Sequence, residues 1–396
     1  MRLHSAAFAA DPHHHYDQLK REHGALAPVE VADEVPASLV LDYRTALHVL
    51  NDADHFPADP RAWQSTVPEQ CPVLPMMEWT PVAGKHDAGQ HVRYRSAYNA
   101  ALGDIDLFRL RTSVEAIAVP LINDFCETGA ADLLGDYAVP LTLRVINDLM
   151  GFSPGAGQRL AAAMTGLEES TDAATADTHD RRFRAAIAEI VAAKRAIPGG
   201  DLISALVHDP VELDDAEIVA LAAVLYARGT APTWNLIANT LLRMTTDQFF
   251  RDMLLGGSVS TRDAIEEVLF RDPPLANSCV RFPRQPQIVG DVWLPVDQPV
   301  IISSTACNND SELTGDRTGN RSHLAWGAGP RACPAQSVAM VIAQEALDQL
   351  LDALPDIVLA VPPDQIRWRP SAFHRAPYAV PVNFAPAPPL PGSRAG

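Results

Sequence analysis

The sequence predicts a mostly α-helical domain of enzyme size with small peripheral β-sheets. Two patterns predict it. From residue 91 to about 244, apolar side chains recur at spacings of three and four, the period of a helix with one buried face. Short β-branched runs bounded by turn residues fall near 26–41, 281–302 and 380–382. The length agrees: 396 residues, 47% of them hydrophobic, fill a large core and exclude global disorder. No internal repeat is found. One mixed domain over residues 1–385 is expected, then a Pro-rich tail, 386–396, expected to be disordered.

Each element has a local reason. Leu26-Ala27-Pro28-Val29-Glu30 and Leu39-Val40-Leu41 read as a strand pair around the polar turn Asp33-Glu34-Val35-Pro36. Asp42 opens a helix with Ala46, Leu47, Val49 and Leu50 on its buried side. Residues 61–90 hold four prolines and little periodicity, so loop with short helical turns is expected. Helices are expected near 91–103, 106–127, 136–149, 156–170, 173–196, 200–207 and 214–244. Gly129, Gly151-Phe152-Ser153-Pro154 and Pro198-Gly199-Gly200 separate them. The last helix starts on Asp214, Asp215 and Glu217, which suits a helix N-terminus, and carries Pro232 in its interior, where a kink or an open hydrogen bond is expected. Strands are expected at 281–282, 287–289, 292–294 and 300–302, a polar loop at 308–322, a helix at about 334–354 and a final strand at 380–382.

Charge and cysteine usage narrow the function. With 49 acidic against 31 basic side chains, the formal net charge is −18, which disfavours nucleic acid and anionic membranes as partners. Mean hydropathy is −0.02, and no apolar stretch is long enough to span a bilayer. The first residues carry no apolar core of a secretory signal. Cys71, Cys126, Cys279, Cys307 and Cys333 are odd in number and lack a Cys-x-x-Cys pair. That argues against a disulfide framework and a thiolate zinc site, and a cytoplasmic location is expected.

The sharpest local feature is His323-Leu324-Ala325-Trp326-Gly327-Ala328-Gly329-Pro330-Arg331-Ala332-Cys333-Pro334-Ala335-Gln336. Two glycines and a proline make a tight, open loop that ends in a cysteine at the mouth of a helix, with Pro334 expected in the first turn. Backbone N–H groups and the helix dipole favour the thiolate there, a soft anionic ligand suited to haem iron. The alternative is an inert core thiol. In the second feature, His91-Val92-Arg93-Tyr94-Arg95, His91 and Arg95 share a helix face that could hold a carboxylate or phosphate, or could be a solvated basic patch.

With these motifs the chain resembles a bacterial, actinobacterial-type cytochrome P450, a haem-thiolate enzyme. The family loop reads Phe-Gly-x-Gly-x-His/Arg-x-Cys-x-Gly. Trp326 stands at the Phe position, Gly327 and Gly329 match, Arg331 fills the His/Arg position, Cys333 is the iron ligand, and Ala335 replaces the last Gly. The likeness covers nearly the whole chain. It implies a triangular-prism fold with haem b (iron protoporphyrin IX) buried between the long central helix and the Cys-loop helix. It also implies that His91, Arg95, Arg281 and Arg331 pair with the haem propionates. A small-molecule substrate, of secondary-metabolite type, a ferredoxin-type electron donor and a monomeric state are implied too. Arg317, Arg321 and Arg331 are the basic candidates for donor docking.

The sequence departs from the family pattern twice. The Glu-x-x-Arg pair is broken: Phe270 stands three residues after Glu267, and Arg271 comes one residue later. One step turns a side chain about 100° around a helix, so Glu267 is expected to lack an arginine partner and to pack near Phe270. The long helix reads Arg228-Gly229-Thr230-Ala231-Pro232-Thr233-Trp234-Asn235. Gly229 matches, Ala231 replaces the family's acid, Pro232 its first threonine, and Thr233 falls on the second. In the family the acid and alcohol relay protons during dioxygen activation, and neither alanine nor proline carries an exchangeable side-chain proton. Three readings stay open: a monooxygenase with protons from substrate or ordered water, held by Thr230 or Thr233; peroxide use, oxidative coupling or rearrangement; or a haem-containing binding protein with weak activity.

The remaining clusters read as structural. Asp172, Asp177, His179 and Asp180 make a solvated polar junction. His13, His14 and His15 flank the first helix. Trp234, Asn235, Trp368, Phe373, His374 and Tyr378 either line a pocket or pack the core.

Overall fold

The computed structural model describes residues 1–80, 88–168, 173–310, 313 and 319–391. Of the residues named above, Asp172 and Arg317 lie outside the described set. The chain forms two compact units. The first comprises Met1–Pro57, Leu107–Leu141 and Pro232–Gly396; the second comprises Ala58–Asp106 and Thr142–Ala231.

The first unit holds every strand among the described residues. These are β1 (Leu26–Ala32), β2 (Val35–Val40), β3 (Ala130–Asp132), β4 (Asn277–Arg281), β5 (Gln287–Val289), β6 (Val292–Leu294), β7 (Val300–Ser303), β8 (Val358–Leu359) and β9 (Pro381–Asn383). The largest sheet has the order β1-β2-β7-β4. β1 and β2 form an antiparallel hairpin with Leu26 opposite Val40. Its turn is tighter than expected: Glu34 adopts φ 61°, and Val35 and Pro36 already belong to β2. β7 pairs parallel to β2 and antiparallel to β4. Leu26, Val40, Val300 and Ile302 from this sheet pack on Val49, Leu50 and Phe56. The helix Tyr43–Asn51 lies there because the Asp42 carboxylate accepts from the Thr45 N–H at 2.7 Å.

Smaller sheets finish the unit. The order β3-β9-β8 brings residues far apart in sequence together, and β5-β6 is a hairpin turned by Gly290 at φ 60°. Helices Leu107–Asn123 and Gln336–Ala353 pack on each other. The Tyr137 hydroxyl donates to the Ala346 carbonyl at 2.6 Å. The described part of the Pro-rich tail, 386–391, is held in place. The Ala387 N–H donates to the Cys126 carbonyl at 2.9 Å, and the Asn123 amide accepts from the Leu390 N–H at 2.7 Å while donating to its carbonyl at 3.1 Å. Proline composition alone does not reveal such a partner.

Among the described residues the second unit is helical. Ala88–Gly103, Pro154–Glu168, Ala173–Ala196 and Leu202–Val207 match the periodic segments to within a few residues. Tyr226 is fully buried between Phe152 and Phe183, with ring centroids 5.9 and 5.6 Å away. The long helix, Asp215–Thr246, runs 32 residues, and both units contribute to it. Pro232 lies inside it, so by helix geometry the Arg228 carbonyl loses its N–H donor.

The acidic start of that helix is a capping box. The Asp214 carboxylate accepts from the Glu217 N–H at 2.8 Å, and Glu217 accepts from the Asp214 N–H at 2.9 Å. Glu217 also takes the Arg93 guanidinium and the Tyr94 hydroxyl, the latter at 2.9 Å. The Arg93 hydrogen bond foremost lowers the Glu217 pKa to about 2 from its ordinary 4.5. A depressed carboxyl pKa adds stability that is full above the unfolded value and is lost as pH falls from about 4.5 toward about 2. Glu217→Gln is therefore expected to lower stability at pH 7 by about 1–2 kcal/mol, solvent screening limiting the loss, with the difference vanishing at acid pH. Urea denaturation at several pH values measures it; a gap that stays constant down to acid pH would refute the assignment.

Candidate functional site

The cysteine loop is built by backbone geometry. The Cys333 N–H donates to the Trp326 carbonyl at 2.7 Å, and the Gly327 N–H donates to the Leu324 carbonyl at 2.8 Å. Gly327 and Gly329 both adopt φ 70°, a conformation strained for other residues. Space demands glycine as well. A Cβ on Gly329 would come within 2.7 Å of Asn51 Oδ1 and 3.0 Å of the Leu50 carbonyl, and one on Gly327 within 3.1 Å of Cys279 Sγ. The helix after the loop begins at Gln336 with Ala335 as its N-cap, and no side chain caps it. Pro334 thus precedes the helix instead of sitting in its first turn, because the short 3₁₀ turn Gly329–Arg331 delays helix entry.

The loop's start is clamped to buried groups. The Leu324 N–H donates to Asn308 Oδ1 at 2.7 Å, and the Asn308 amide donates to the Leu269 carbonyl at 3.0 Å. His323 Nδ1 accepts from the Ala325 N–H at 3.3 Å, so Nε2 carries the proton and donates to Glu266 Oε2 at 2.9 Å. The Phe270 ring meets the His323 ring edge-on at 5.1 Å, and Arg321 stands 3.6 Å from the second Glu266 oxygen.

The buried carboxylate at this place is therefore Glu266, 5% exposed. Glu267 is only half-buried and lines a crevice of about 130 Å³ with Arg271, Asp272 and Trp368. Among the described residues no side-chain hydrogen bond or ion pair joins Glu267 to Arg271. The Phe270 ring packs on His323, the partner of Glu266. Glu266 and Phe270 are four apart and share a helix face, a signal that the family register at Glu267 had hidden. Glu266→Ala is expected to leave a buried imidazole N–H unpaired and to destabilise the protein by about 1–3 kcal/mol. Glu267→Ala should stay within about 0.5 kcal/mol. Thermal denaturation compares them, and equal losses would refute the assignment.

Arg281 lies on β4, the strand whose Cys279 stands close to Gly327 of this loop. Cys279 adopts φ 53° where the pairing with β7 is irregular, and the Arg281 guanidinium donates to the Cys279 and Val280 carbonyls, each at 3.1 Å. Arg281 is 4% exposed, burial pushes its pKa down, and among the described residues no carboxylate pairs with it. A buried cation of this kind calls for an anion. Trp326 Nε1 is likewise shielded from solvent without a hydrogen-bond partner. A soft sulfur on an open loop, an unneutralised buried guanidinium and an unpaired indole N–H fit an iron macrocycle bearing carboxylates.

All five cysteines are free thiols. Cys333 is half-buried, whereas Cys307 is fully buried, bonded to the Val40 and Asp42 carbonyls at 3.5 and 3.4 Å, with burial raising its thiol pKa. Cys307 is thus a core thiol, whereas Cys333 keeps partial exposure.

In the second unit His91 and Arg95 share one helix face with Tyr94 and Tyr98. His91 is 7% exposed and Arg95 half-buried, so this face is not a solvated patch. On the long helix, Thr230 is fully buried and its hydroxyl donates back to the Tyr226 carbonyl at 2.9 Å. Thr233, 4% exposed, falls on the same face three residues on. Ala231 and Pro232 are half-buried on the opposite side, and a Cβ on Gly229 would meet Ile146 at 3.4 Å.

Other residues that stand out in the sequence are absorbed by packing. Asp177 and Asp180 pair with Arg181 and Arg184 at 3.0 and 2.6 Å. His13 bonds to Asp272 at 3.0 Å from the start of the helix Pro12–His23. The Arg375 guanidinium stacks 3.3 Å over Trp368, Phe373 is buried, and Tyr378 takes Arg367 at 4.9 Å.

No family model matches the chain. Individual proteins do. It is 27% identical over 393 residues to cytochrome P450 107B1 of Saccharopolyspora erythraea, covering 95% of this chain and 96% of that one. It is 31% identical over 318 residues to the mycinamicin IV hydroxylase/epoxidase of Micromonospora griseorubida, covering 75% and 78%. The structure of CYP154C4 from a Streptomyces species superposes with TM-score 0.88 at 26% identity, over 95% of this chain and 97% of that one. Fold and cysteine loop together are those of a haem-iron oxidoreductase. The chain belongs to the cytochrome P450 family.

Proposed function

We propose that this protein is a haem-thiolate monooxygenase that oxidises a small molecule, of secondary-metabolite type, with dioxygen and electrons from a ferredoxin-type donor. The observation that carries the reading is the glycine-built turn that ends in Cys333, together with a buried Arg281 that pairs with no carboxylate among the described residues. In this reading residues 1–385 are a single catalytic domain that holds one haem b. Cys333 holds the iron through its thiolate. Arg281, Arg331, His91 and Arg95 neutralise the propionates, with Trp326, Gly327, Gly229 and Ala335 bordering the macrocycle. Haem, when bound, supplies the electron-transfer and oxygen chemistry.

The chain's own residues set the rest. The Cys333 sulfur lends electron density, and the Trp326–Cys333 turn keeps it aimed. Arg321 is half-exposed beside the loop and, with Arg331, offers the donor a basic contact. No helix among the described residues is long and apolar enough to cross a membrane. A monomer in the cytoplasm, where thiols stay reduced, fits five cysteines outside any disulfide.

One observation favours a second reading, peroxide-driven oxidation or a coupling or rearrangement on the same site. Ala231 and Pro232 carry no exchangeable proton, and the Thr230 hydroxyl is already committed to the Tyr226 carbonyl. General acid–base help of this kind is worth about 10²–10⁴-fold. Thr233 and a water on the freed Arg228 carbonyl are the groups left to hold a proton.

Two measurements test this. Purified protein, reduced under carbon monoxide, is expected to give a thiolate-type Soret band that Cys333→Ala abolishes. A histidine-type band, or failure to take up haem, would overturn the assignment. On the second reading, with one true substrate, turnover from peroxide is expected to rival or exceed that from dioxygen and a reductase. Fast, tightly coupled dioxygen turnover would instead show that the missing acid and alcohol are dispensable.

A further inference from the structure

The long helix has two unlike faces around residue 228. Tyr226, Thr230 and Thr233 are buried on one side, and the open side carries Val224, Leu225, Arg228, Ala231 and Pro232. Arg228 is the exposed residue at the centre of that open stripe. Its neighbours at i−4, i−3, i+3 and i+4 are Val224, Leu225, Ala231 and Pro232, none of which can neutralise a cation. Among the described residues nothing else pairs with it: Arg228 has no side-chain hydrogen bond, ion pair or ring contact. Several arginines elsewhere in the same unit find carboxylates, as Arg93 does with Glu217 and Arg184 with Asp180. A solvated surface helix would surround an arginine with polar groups, not with four apolar ones.

The charge of Arg228 is felt close by. Burial raises the Tyr98 phenol pKa, while Arg228 and Arg95 both pull it down, so the two guanidiniums act on one neighbourhood. The open stripe is thus apolar along its length, with a single permanent positive charge in the middle. A guanidinium offers a planar fork that takes a carboxylate in two parallel hydrogen bonds. An apolar wall with one such fork complements an amphipathic acid.

We propose that Arg228 anchors a carboxylate on the substrate, and that the substrates are small carboxylic acids whose apolar bodies lie along Leu225, Ala231 and Pro232. This rests on the haem-enzyme reading, in which the same stripe holds the residues that replace the family's acid and alcohol. It narrows the substrate class from small molecules in general to those with a carboxylate. It also gives the stripe a purpose: the helix carries a recognition group one turn before the place where its proton donors are missing.

The test uses the haem-loaded protein and four probes: dodecanoate and hydrocinnamate, each against its methyl ester. Binding is read twice, by the change in the haem absorption band and by calorimetry. The wild type is expected to bind the acids at least tenfold more tightly than the esters. Arg228→Leu and Arg228→Gln should weaken acid binding by tenfold or more and leave ester binding unchanged, and Arg228→Lys should restore part of the preference. Haem content of each variant is measured in parallel. Equal affinity of acids and esters in the wild type, or acid affinity indifferent to Arg228→Leu, would overturn the proposal. Loss of haem in the Arg228 variants would overturn it too, by assigning the guanidinium to a propionate. Failure of the haem reading itself shows separately as a missing thiolate-type band, and calorimetry with the acids still decides the role of Arg228.

Discussion

The turn closed by the Cys333 N–H on the Trp326 carbonyl is the constraint on which the rest depends. A thiolate can serve as a ligand only if its loop is open toward the ligand and rigid behind it. Gly327 and Gly329 supply the first condition by adopting a left-handed backbone with no side chain in the way. Asn308, His323 and Glu266 supply the second from the far side, by tying the start of the loop to the helix Thr261–Arg271.

That second anchor is built from packing as well as hydrogen bonds. The His323 ring, fixed in one tautomer by the Ala325 N–H, meets Phe270 with its edge and Glu266 with its proton. A neutral imidazole donating to a carboxylate, with an aromatic wall, avoids bringing a further full charge into the interior. Arg271 turns outward to the crevice it shares with Glu267 and Asp272.

On the long helix, Ala231 and Pro232 carry no exchangeable side-chain proton, and the Thr230 hydroxyl is satisfied internally. What the helix presents on its open face is a guanidinium that no described residue neutralises, among apolar side chains.

Local physics made much of this legible from the chain alone. Helical periodicity, the Asp42 cap, the acidic helix start at Asp214, the β1–β2 pair and the glycine-cysteine loop each depend on residues close in sequence, and each was readable. The resemblance to the family rested on that loop and held when the fold was compared. Tertiary structure alone decided which glutamate is buried, because Glu266 and His323 are 57 residues apart and no periodicity links them. It alone showed that Asn123 holds the Pro-rich segment at Leu390, that Thr230 spends its hydroxyl on its own helix, and that Arg281 is buried with no carboxylate among the described residues. Backbone preference is written in neighbouring residues; the pairing of buried polar groups is settled only when distant segments meet and each donor must find an acceptor.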